Sequence, residues 1–426
     1  RKTHIPELMS PPIIATTSRA LADVEAHIPN AEATLEVFIA RLYGLSHKQY
    51  QSALEEFPQL SSGFKKLLLL HPLWLTPLTE HSSDASVGHI PNDNSRINLL
   101  PRIPNHYSAQ LSALDLRMAH AIPPGGNWKN IPVSIPSERL VNIRKGFKEG
   151  LGSRSTYYGR LRRNSPAYTI NTYFCRPGNG CHLHYDYEGG QHRVISQREA
   201  ARFQSFPDSF VFLGSRNDVN IQIGNAVPPL LGYSIASSIP FKGQFIDLFA
   251  GAGGLALGFT WAGWRPVLAN DIVEKYLATH EFNIGSPVLA GDIRVQEISK
   301  EIVSTALQAR KNFPQLPLFV LGGPPCQGFS TGSERRSMDD ERNLLFYNFK
   351  DILLRVKPAG FIFENVTGLL NMENGKIFAL VKRELNQAAG RMSHWILKAE
   401  EHAIPQRRTR VFVVGSNADQ WRLDEP

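Results

Sequence analysis

The apolar run Leu316 to Leu321 breaks abruptly into Gly322-Gly323-Pro324-Pro325-Cys326-Gln327. The run has the length and composition of a buried parallel strand, and a Gly-Gly-Pro-Pro sequence can continue neither a strand nor a helix. The break therefore predicts a strand that ends in a tight, stiff turn carrying the lone Cys326. Open α/β sheets gather their chemistry at the carboxyl ends of strands, so the fold class expected is α/β, with a thiol presented at the working edge of the sheet. Lone cysteines are often small buried core residues, but the prolines and glycines around Cys326 argue for presentation over burial.

Other stretches repeat this pattern of a strand that ends on a functional group. Phe245 to Leu248 is apolar and runs into the Gly-rich turn Phe249-Ala250-Gly251-Ala252-Gly253-Gly254, the opening of a Rossmann-like unit in which glycines let backbone approach a ligand. The strand Pro266 to Asp271 ends in an acid suited to accepting two ribose hydroxyls. Phe361-Ile-Phe-Glu364 ends in another carboxylate, which position alone leaves open as a simple water-facing residue. Gln406, Arg408 and Arg410 alternate along a further strand and so share one side of it, where arginines can steady a carboxylate or phosphate. The spacing predicts a helix over Ile298 to Ala309, and the Ser-, Gly- and Arg-rich stretch 328–340 suits a mobile lid.

With 426 residues, 42% of them hydrophobic and 20% charged, the chain can form two or three domains with proper cores. No apolar run is long enough to cross a bilayer and no signal pattern opens the chain. The start at Arg1 is expected of a trimmed chain or a fragment. Three cysteines cannot staple a chain this size, which favours a reducing cytoplasm. The net charge of +8 is concentrated: Lys129, Arg139, Arg144, Lys145, Lys148, Arg154, Arg160, Arg162 and Arg163 face only Glu138 and Glu149 over the same span, with Tyr157 and Tyr158 among them. Such a stretch is the footprint of a phosphate-tracking surface or of a merely solvated basic face.

Toward the N-terminus, Leu35, Phe38, Ile39 and Leu42 define one helical face closed by Gly44, and Ser46 caps a second helix with Tyr50, Leu54 and Phe57. A packed helical hairpin is the expected outcome, with no base-reading role. Residues 78–106 read as a long loop or domain seam. Cys175, Cys181, His182 and His184 lack the paired CxxC spacing of a structural zinc site, so no metal is expected. Ser196 with Glu199 forms a capping box that starts a short helix ending before Pro207.

Taken together, Pro325-Cys326-Gln327, Glu364-Asn365-Val366, Gln406-x-Arg408-x-Arg410 and Asp247-Leu-Phe-Ala-Gly251 resemble the motifs of the DNA cytosine-5 methyltransferases, and the resemblance spans residues 121 to 415. Arg193 to Asp208 resembles the ninth motif, Gln222 to Pro229 the tenth, Asp340 to Leu345 the fifth, and Thr169-Ile170 a short element of the target-recognition region. The recognition region and motifs nine and ten precede the first motif, which marks a circularly permuted, prokaryotic restriction-modification type of member. The fold implied is a Rossmann-like S-adenosylmethionine-dependent catalytic domain with a smaller loop-rich α+β target-recognition domain. The expected divisions are 1–100 for an N-terminal helical and irregular part, 101–215 for recognition, and 216–426 for catalysis and cofactor binding.

The resemblance also implies roles. Cys326 is the nucleophile at C6 of a flipped-out cytosine, Glu364 engages the ring nitrogen, and Arg408 and Arg410 hold the base and sugar. S-adenosylmethionine is implied at Asp247, Phe249, Ala250, Gly251, Gly253, Asp271, Ile272, Asp292, Ile293, Gly323, Pro325, Leu345, Asn225 and Ala226. Arg144, Lys145, Lys148, Arg154, Arg160, Arg162, Arg163, Gln327 and Ser330 are expected on duplex DNA. Two departures stand out, Ile272 where the family often has an aromatic and Ala403 where it usually has glycine. The implied partners are double-stranded DNA and a cognate restriction endonuclease, in a cytoplasmic monomer. An RNA cytosine-5 methyltransferase on the same fold, a non-catalytic DNA-binding module and a dinucleotide oxidoreductase are the alternatives.

Overall fold

The computed structural model describes residues 103–151, 156–325, 344–417 and 425–426. The expected helical pair between Ala31 and Phe57 lies outside the described residues. Asn105–Phe206 and the residues from Phe210 onward form one compact unit. Its first part carries helices α1 (Ala113–His120) and α2 (Glu138–Lys148), the short strands β1 (Gly159–Arg160), β2 (Ala167–Tyr168) and β3 (Cys181–Leu183), and helix α3 (Gln197–Phe203). Helices α4 (Arg216–Asn225) and α5 (Pro229–Ser238) follow. Then come β4 (Gln244–Leu248), α6 (Gly254–Trp261), β5 (Arg265–Asp271), α7 (Glu274–Ile284), β6 (Val288–Ala290), α8 (Gln296–Asn312), β7 (Leu318–Gly322), α9 (Leu344–Val356), β8 (Gly360–Val366), α10 (Gly368–Asn371), α11 (Lys376–Leu385), β9 (Arg391–Lys398), β10 (Gln406–Arg407) and β11 (Thr409–Ser416).

Seven of these strands make one sheet in the order β6-β5-β4-β7-β8-β11-β9. β6, β5, β4, β7 and β8 are mutually parallel, whereas β11 runs antiparallel to both β8 and β9. The central strands are mostly apolar because both faces are covered, with polar residues such as Asp247, Asp271 and Glu364 near their carboxyl ends. Their alternation decides which residue meets which layer. Phe245, Phe319, Leu321, Ile362, Phe412 and Val414 pack with α5, α6 and the 105–206 segment, while Ile246, Leu318, Val320, Phe361, Phe363, Val411 and Val413 pack with α8, α9 and α11. β7 starts at Leu318 rather than Leu316 because Pro317 has no N–H to give the ladder.

The 105–206 segment has its own small core of Met118, Ile122, Trp128, Ile131, Leu140, Ile143, Tyr158 and Leu183. It is also continuous with the sheet, since Leu161, Ala167, Ile170, Phe174 and Cys181 belong to the same buried cluster as Phe245 and Phe412. The capping box of α3 forms as the Ser196/Glu199 spacing predicts: Glu199 N–H donates to Ser196 Oγ (3.1 Å) and Ser196 N–H to Glu199 Oε2 (2.7 Å). Arg193 adds a two-pronged contact to the same carboxylate at 2.7 and 2.8 Å.

Burial works to raise the Glu199 carboxyl, but the Arg193 fork, with His184 and the Ser196 N–H behind it, overrides burial and holds the group at about 2. A folded-state value below the ordinary 4.5 means stability that is fully present above pH 4.5 and is lost as pH falls through 2. We expect this acid-side loss to reach roughly 3 kcal/mol. Denaturant titrations of wild type and Glu199→Gln between these pH values should show the slope flattening in the variant; equal slopes would contradict the assignment.

Candidate active site at the carboxyl edge of the sheet

The turn between β4 and α6 is shaped by three residues with positive φ, Phe249 (+57°), Gly251 (+52°) and Gly253 (+90°). The two glycines serve different ends. A Cβ on Gly253 would lie 2.5 Å from Ile284 Cδ1 and 2.6 Å from His280 Cδ2, so this glycine lets the turn sit directly on α7. Nothing lies within 4 Å of the same position on Gly251, which leaves an open flank toward the edge of the sheet. Gly251 N–H donates to Asp271 Oδ2 (2.9 Å) and Val273 N–H to Asp271 Oδ1 (2.8 Å), which fixes the carboxylate and leaves each oxygen a further lone pair. Burial raises the Asp271 carboxyl against these two bonds.

Beside Asp271, Ile272 is 64% exposed, an apolar side chain waiting at the rim. Asp292 stands under a two-pronged Arg294 contact (3.0 and 2.7 Å) that holds its carboxyl low. Ile293 is buried, Ala250, Ala226 and Leu345 are half-buried, and Asn225 is exposed at the last position of α4. Asp247 is buried at the end of β4 with Oδ2 lacking a hydrogen-bond partner. An open glycine flank, a fixed acid, an exposed apolar rim and an orphaned buried oxygen fit a nucleoside ligand with a polar tail.

The second half of the edge is built by β7, β8 and β11. Pairing of Phe412 with Glu364 and of Arg410 with Val366 sets Glu364 and Arg410 diagonally on the face that also carries Ile362 and Phe412. Arg410 Nε lies 3.0 Å from Glu364 Oε1, with both side chains 14% exposed. Burial raises the Glu364 carboxyl, and Arg410 and Arg408 oppose that rise. A Cβ on Gly323 would stand 2.8 Å from Glu364 Oε2, so the carboxylate lies against the turn that leaves β7. Asn365 Nδ2 donates to Pro324 O (3.1 Å) and thereby ties β8 to that turn, whose next residue, Pro325, is exposed.

Arg408 is buried and donates to Ile170 O (3.1 Å) and Gly224 O (3.0 Å). Gln406 completes the clamp, accepting Ile170 N–H at Oε1 (2.7 Å) and donating from Nε2 to Gln204 Oε1 (2.8 Å). Thr169 Oγ donates to Arg407 O (2.7 Å) where β10 pairs with β2. The Thr169-Ile170 element is thus seated on the Gln-x-Arg-x-Arg strand. Arg408, expected on base and sugar, has both terminal nitrogens engaged on backbone carbonyls.

Cys326, Gln327, Ser330 and Arg154 lie outside the described residues. Lys145, Lys148, Arg162 and Arg163 are exposed, and Arg144 donates to Ile131 O (2.6 Å). Arg160 corrects the sequence expectation. It is fully buried, donating to the carbonyls of Ile122, Ala119, His184 and Gln191, and it closes the core of the 105–206 segment rather than facing solvent. A run of basic residues conceals such a brace, because nothing local marks Arg160 as the residue whose carbonyl partners lie up to about forty positions away in the chain. Asn365, marked in the sequence only as part of the Glu364-Asn365-Val366 motif, gains a role as the tie to Pro324, and the buried His280 behind the Gly-rich turn carries no sequence signal. Cys181 and His182 are buried on β3, and among the described residues no three His, Cys, Asp or Glu side chains converge as a metal site. No helix of the described residues is long and apolar enough to cross a membrane.

The seven-stranded sheet and its Gly-rich turn define a Rossmann-like fold of the S-adenosylmethionine-dependent methyltransferase class. The chain belongs to the C-5 cytosine-specific DNA methylase family, which matches residues 114–240 and 243–424. It is 39% identical over 183 residues to the type II methyltransferase M.AgeI of Thalassovita gelatinovora, covering 42% of this chain and 41% of that protein. It is 35% identical over 193 residues to the type II methyltransferase M.AquIA of a Picosynechococcus species, covering 43% and 76%. The Dnmt2 methyltransferase structure from S. pombe is 21% identical with a TM-score of 0.34 over 42% of this chain and 52% of that one. The chain thus spans less than half the length of M.AgeI. C-5 DNA methylases take their methyl group from S-adenosylmethionine, and the residues around the β4–α6 turn fit it.

Arg160→Ala would strand four carbonyls in a dry core, so we predict a stability loss of roughly 3–5 kcal/mol. Chemical denaturation measures it. A variant of unchanged stability with weakened DNA binding would restore Arg160 to the surface role.

Proposed function

We propose that this protein is a site-specific DNA methyltransferase that transfers a methyl group from S-adenosylmethionine to C5 of cytosine in duplex DNA. The observation that carries the reading is the half-buried Glu364–Arg410 pair set against the turn that leaves β7. The target base is taken out of the stack. The Cys326 thiolate adds to C6 while Glu364, a carboxyl raised by burial, engages N3 and the exocyclic amino group. That addition places electron density on C5, which accepts the methyl group. Loss of the C5 proton then expels the thiolate and restores the ring. Arg410 holds Glu364 in place and remains at hand for the base, while Arg408 keeps the strand seated.

Asp271 is assigned to the ribose, Ile272 and Phe249 to the adenine faces, Asp292 to its amino group, Gly251, Gly253, Ala250, Ile293, Gly323, Pro325 and Leu345 to the walls, and Asn225 and Ala226 to the methionine end. Lys145, Lys148, Arg162 and Arg163 are assigned to DNA phosphates. Residues 101–215 act in target recognition and 216–426 in catalysis. The motif order supports a circularly permuted chain, since the recognition segment and α4 precede β4. The type II names of the relatives support a restriction-modification role beside an endonuclease.

Incubation of the protein with S-adenosylmethionine and mixed-sequence duplex DNA, followed by digestion to nucleosides, should yield 5-methylcytosine with wild type and none with Cys326→Ala. Cofactor binding without methylated DNA would overturn the DNA reading and turn attention to RNA. Glu364→Gln should lower the rate by about 10²–10⁴-fold.

A further inference from the structure

Behind the cofactor turn lies a buried polar pair, Asp247 and His280, and none of the roles above uses its histidine. Asp247 on β4 and His280 on α7 are 3% and 1% exposed, and Asp247 Oδ2 and His280 Nε2 each lack a hydrogen-bond partner. They face each other at 3.9 Å, beyond hydrogen-bond range yet too close for a water between them. On its far side the ring is held at Nδ1 by Ser286 Oγ at 3.2 Å. Above it lies Gly253, whose Cβ position falls 2.6 Å from His280 Cδ2. Any shift of the turn relative to α7 therefore moves across this ring.

Two buried orphans aimed at one another are costly, and closing the gap by under about 1 Å removes both penalties at once. We propose that His280 is a positioning residue for the cofactor turn: it joins Asp247 through a hydrogen bond that closes when S-adenosylmethionine draws the turn down, with Ser286 setting the ring's orientation and tautomer. One proton, on Asp247 Oδ2 or on His280 Nε2, completes the bond, so the pair stays neutral overall. His280 does not touch the ligand; it acts through Asp247 and the backbone of Gly253.

The inference rests on S-adenosylmethionine being the ligand of this turn, and the test separates the two. Calorimetric titration of the full chain with S-adenosylmethionine measures affinity without turnover. His280→Phe fills the space without a polar nitrogen, and His280→Gln returns a nitrogen near the Nε2 position. We expect His280→Phe to weaken binding roughly three- to tenfold, as loss of one net hydrogen bond does, and His280→Gln to recover most of it. Ser286→Ala, remote from the ligand, should weaken binding roughly twofold to threefold by freeing the ring. Wild type that fails to bind would overturn the cofactor reading itself. Wild type that binds, with Phe and Gln variants weakened alike and Ser286→Ala unchanged, would show a packing residue and overturn the positioning role. Should His280→Phe fail to fold, Ser286→Ala and His280→Gln carry the same decision.

Discussion

Burial near the end of β8 raises the Glu364 carboxyl, and the Arg410 guanidinium 3.0 Å away opposes that rise and fixes the group in place. The geometry of the rest of the edge follows from this pair. Arg410 reaches Glu364 only because β11 runs antiparallel beside β8 in one register; a slip by one residue would turn the arginine to the opposite helical layer. The two strands are locked by alternating apolar residues, Ile362 and Phe412 on one face and Phe361, Phe363, Val411 and Val413 on the other. The hydrophobic pattern thus sets the register, and the register sets the electrostatics.

The residues just before β11 link this edge to the 105–206 segment. Gln406 and Arg408 grip both backbone groups of Ile170, one the N–H and the other the carbonyl, and Arg408 also holds Gly224, which stands next to Asn225 at the end of α4. A displacement of the Thr169-Ile170 element would therefore be felt at β11 and at α4 together. Burial of the Arg408 guanidinium lowers its affinity for a proton and makes its two carbonyl bonds necessary rather than incidental.

Much of the fold was legible from the residues. The strand end at Asp271, the Gly-rich turn and the α3 capping box appear where composition and spacing place them, whereas β7 runs one residue further, to Gly322, and β8 two residues beyond Glu364, to Val366, because pairing with neighbouring strands extends them. What could not be read was direction within a dense run of like residues. Arg160 and Arg162 look alike in sequence, yet Arg160 ends β1 inside the core while Arg162, past the strand's end, is exposed. Arg408 and Arg410 likewise stand two residues apart, yet Arg408 falls between β10 and β11 and is engaged on Ile170 and Gly224, while Arg410 on β11 reaches Glu364. His280 and Ser286 carried no motif at all, since their meaning depends on α7 packing under Gly253.

The central claim is that the Glu364–Arg410 edge serves a thiol that bonds covalently to the target ring. Duplex DNA containing 5-fluorocytosine tests this most directly, because fluorine cannot leave as a cation and the ring stays attached to the thiol. With S-adenosylmethionine present, intact protein should gain the mass of the methylated DNA strand in denaturing mass spectrometry, and Cys326→Ala should gain none. An intact protein that binds the cofactor and the DNA yet never forms the adduct would contradict the account.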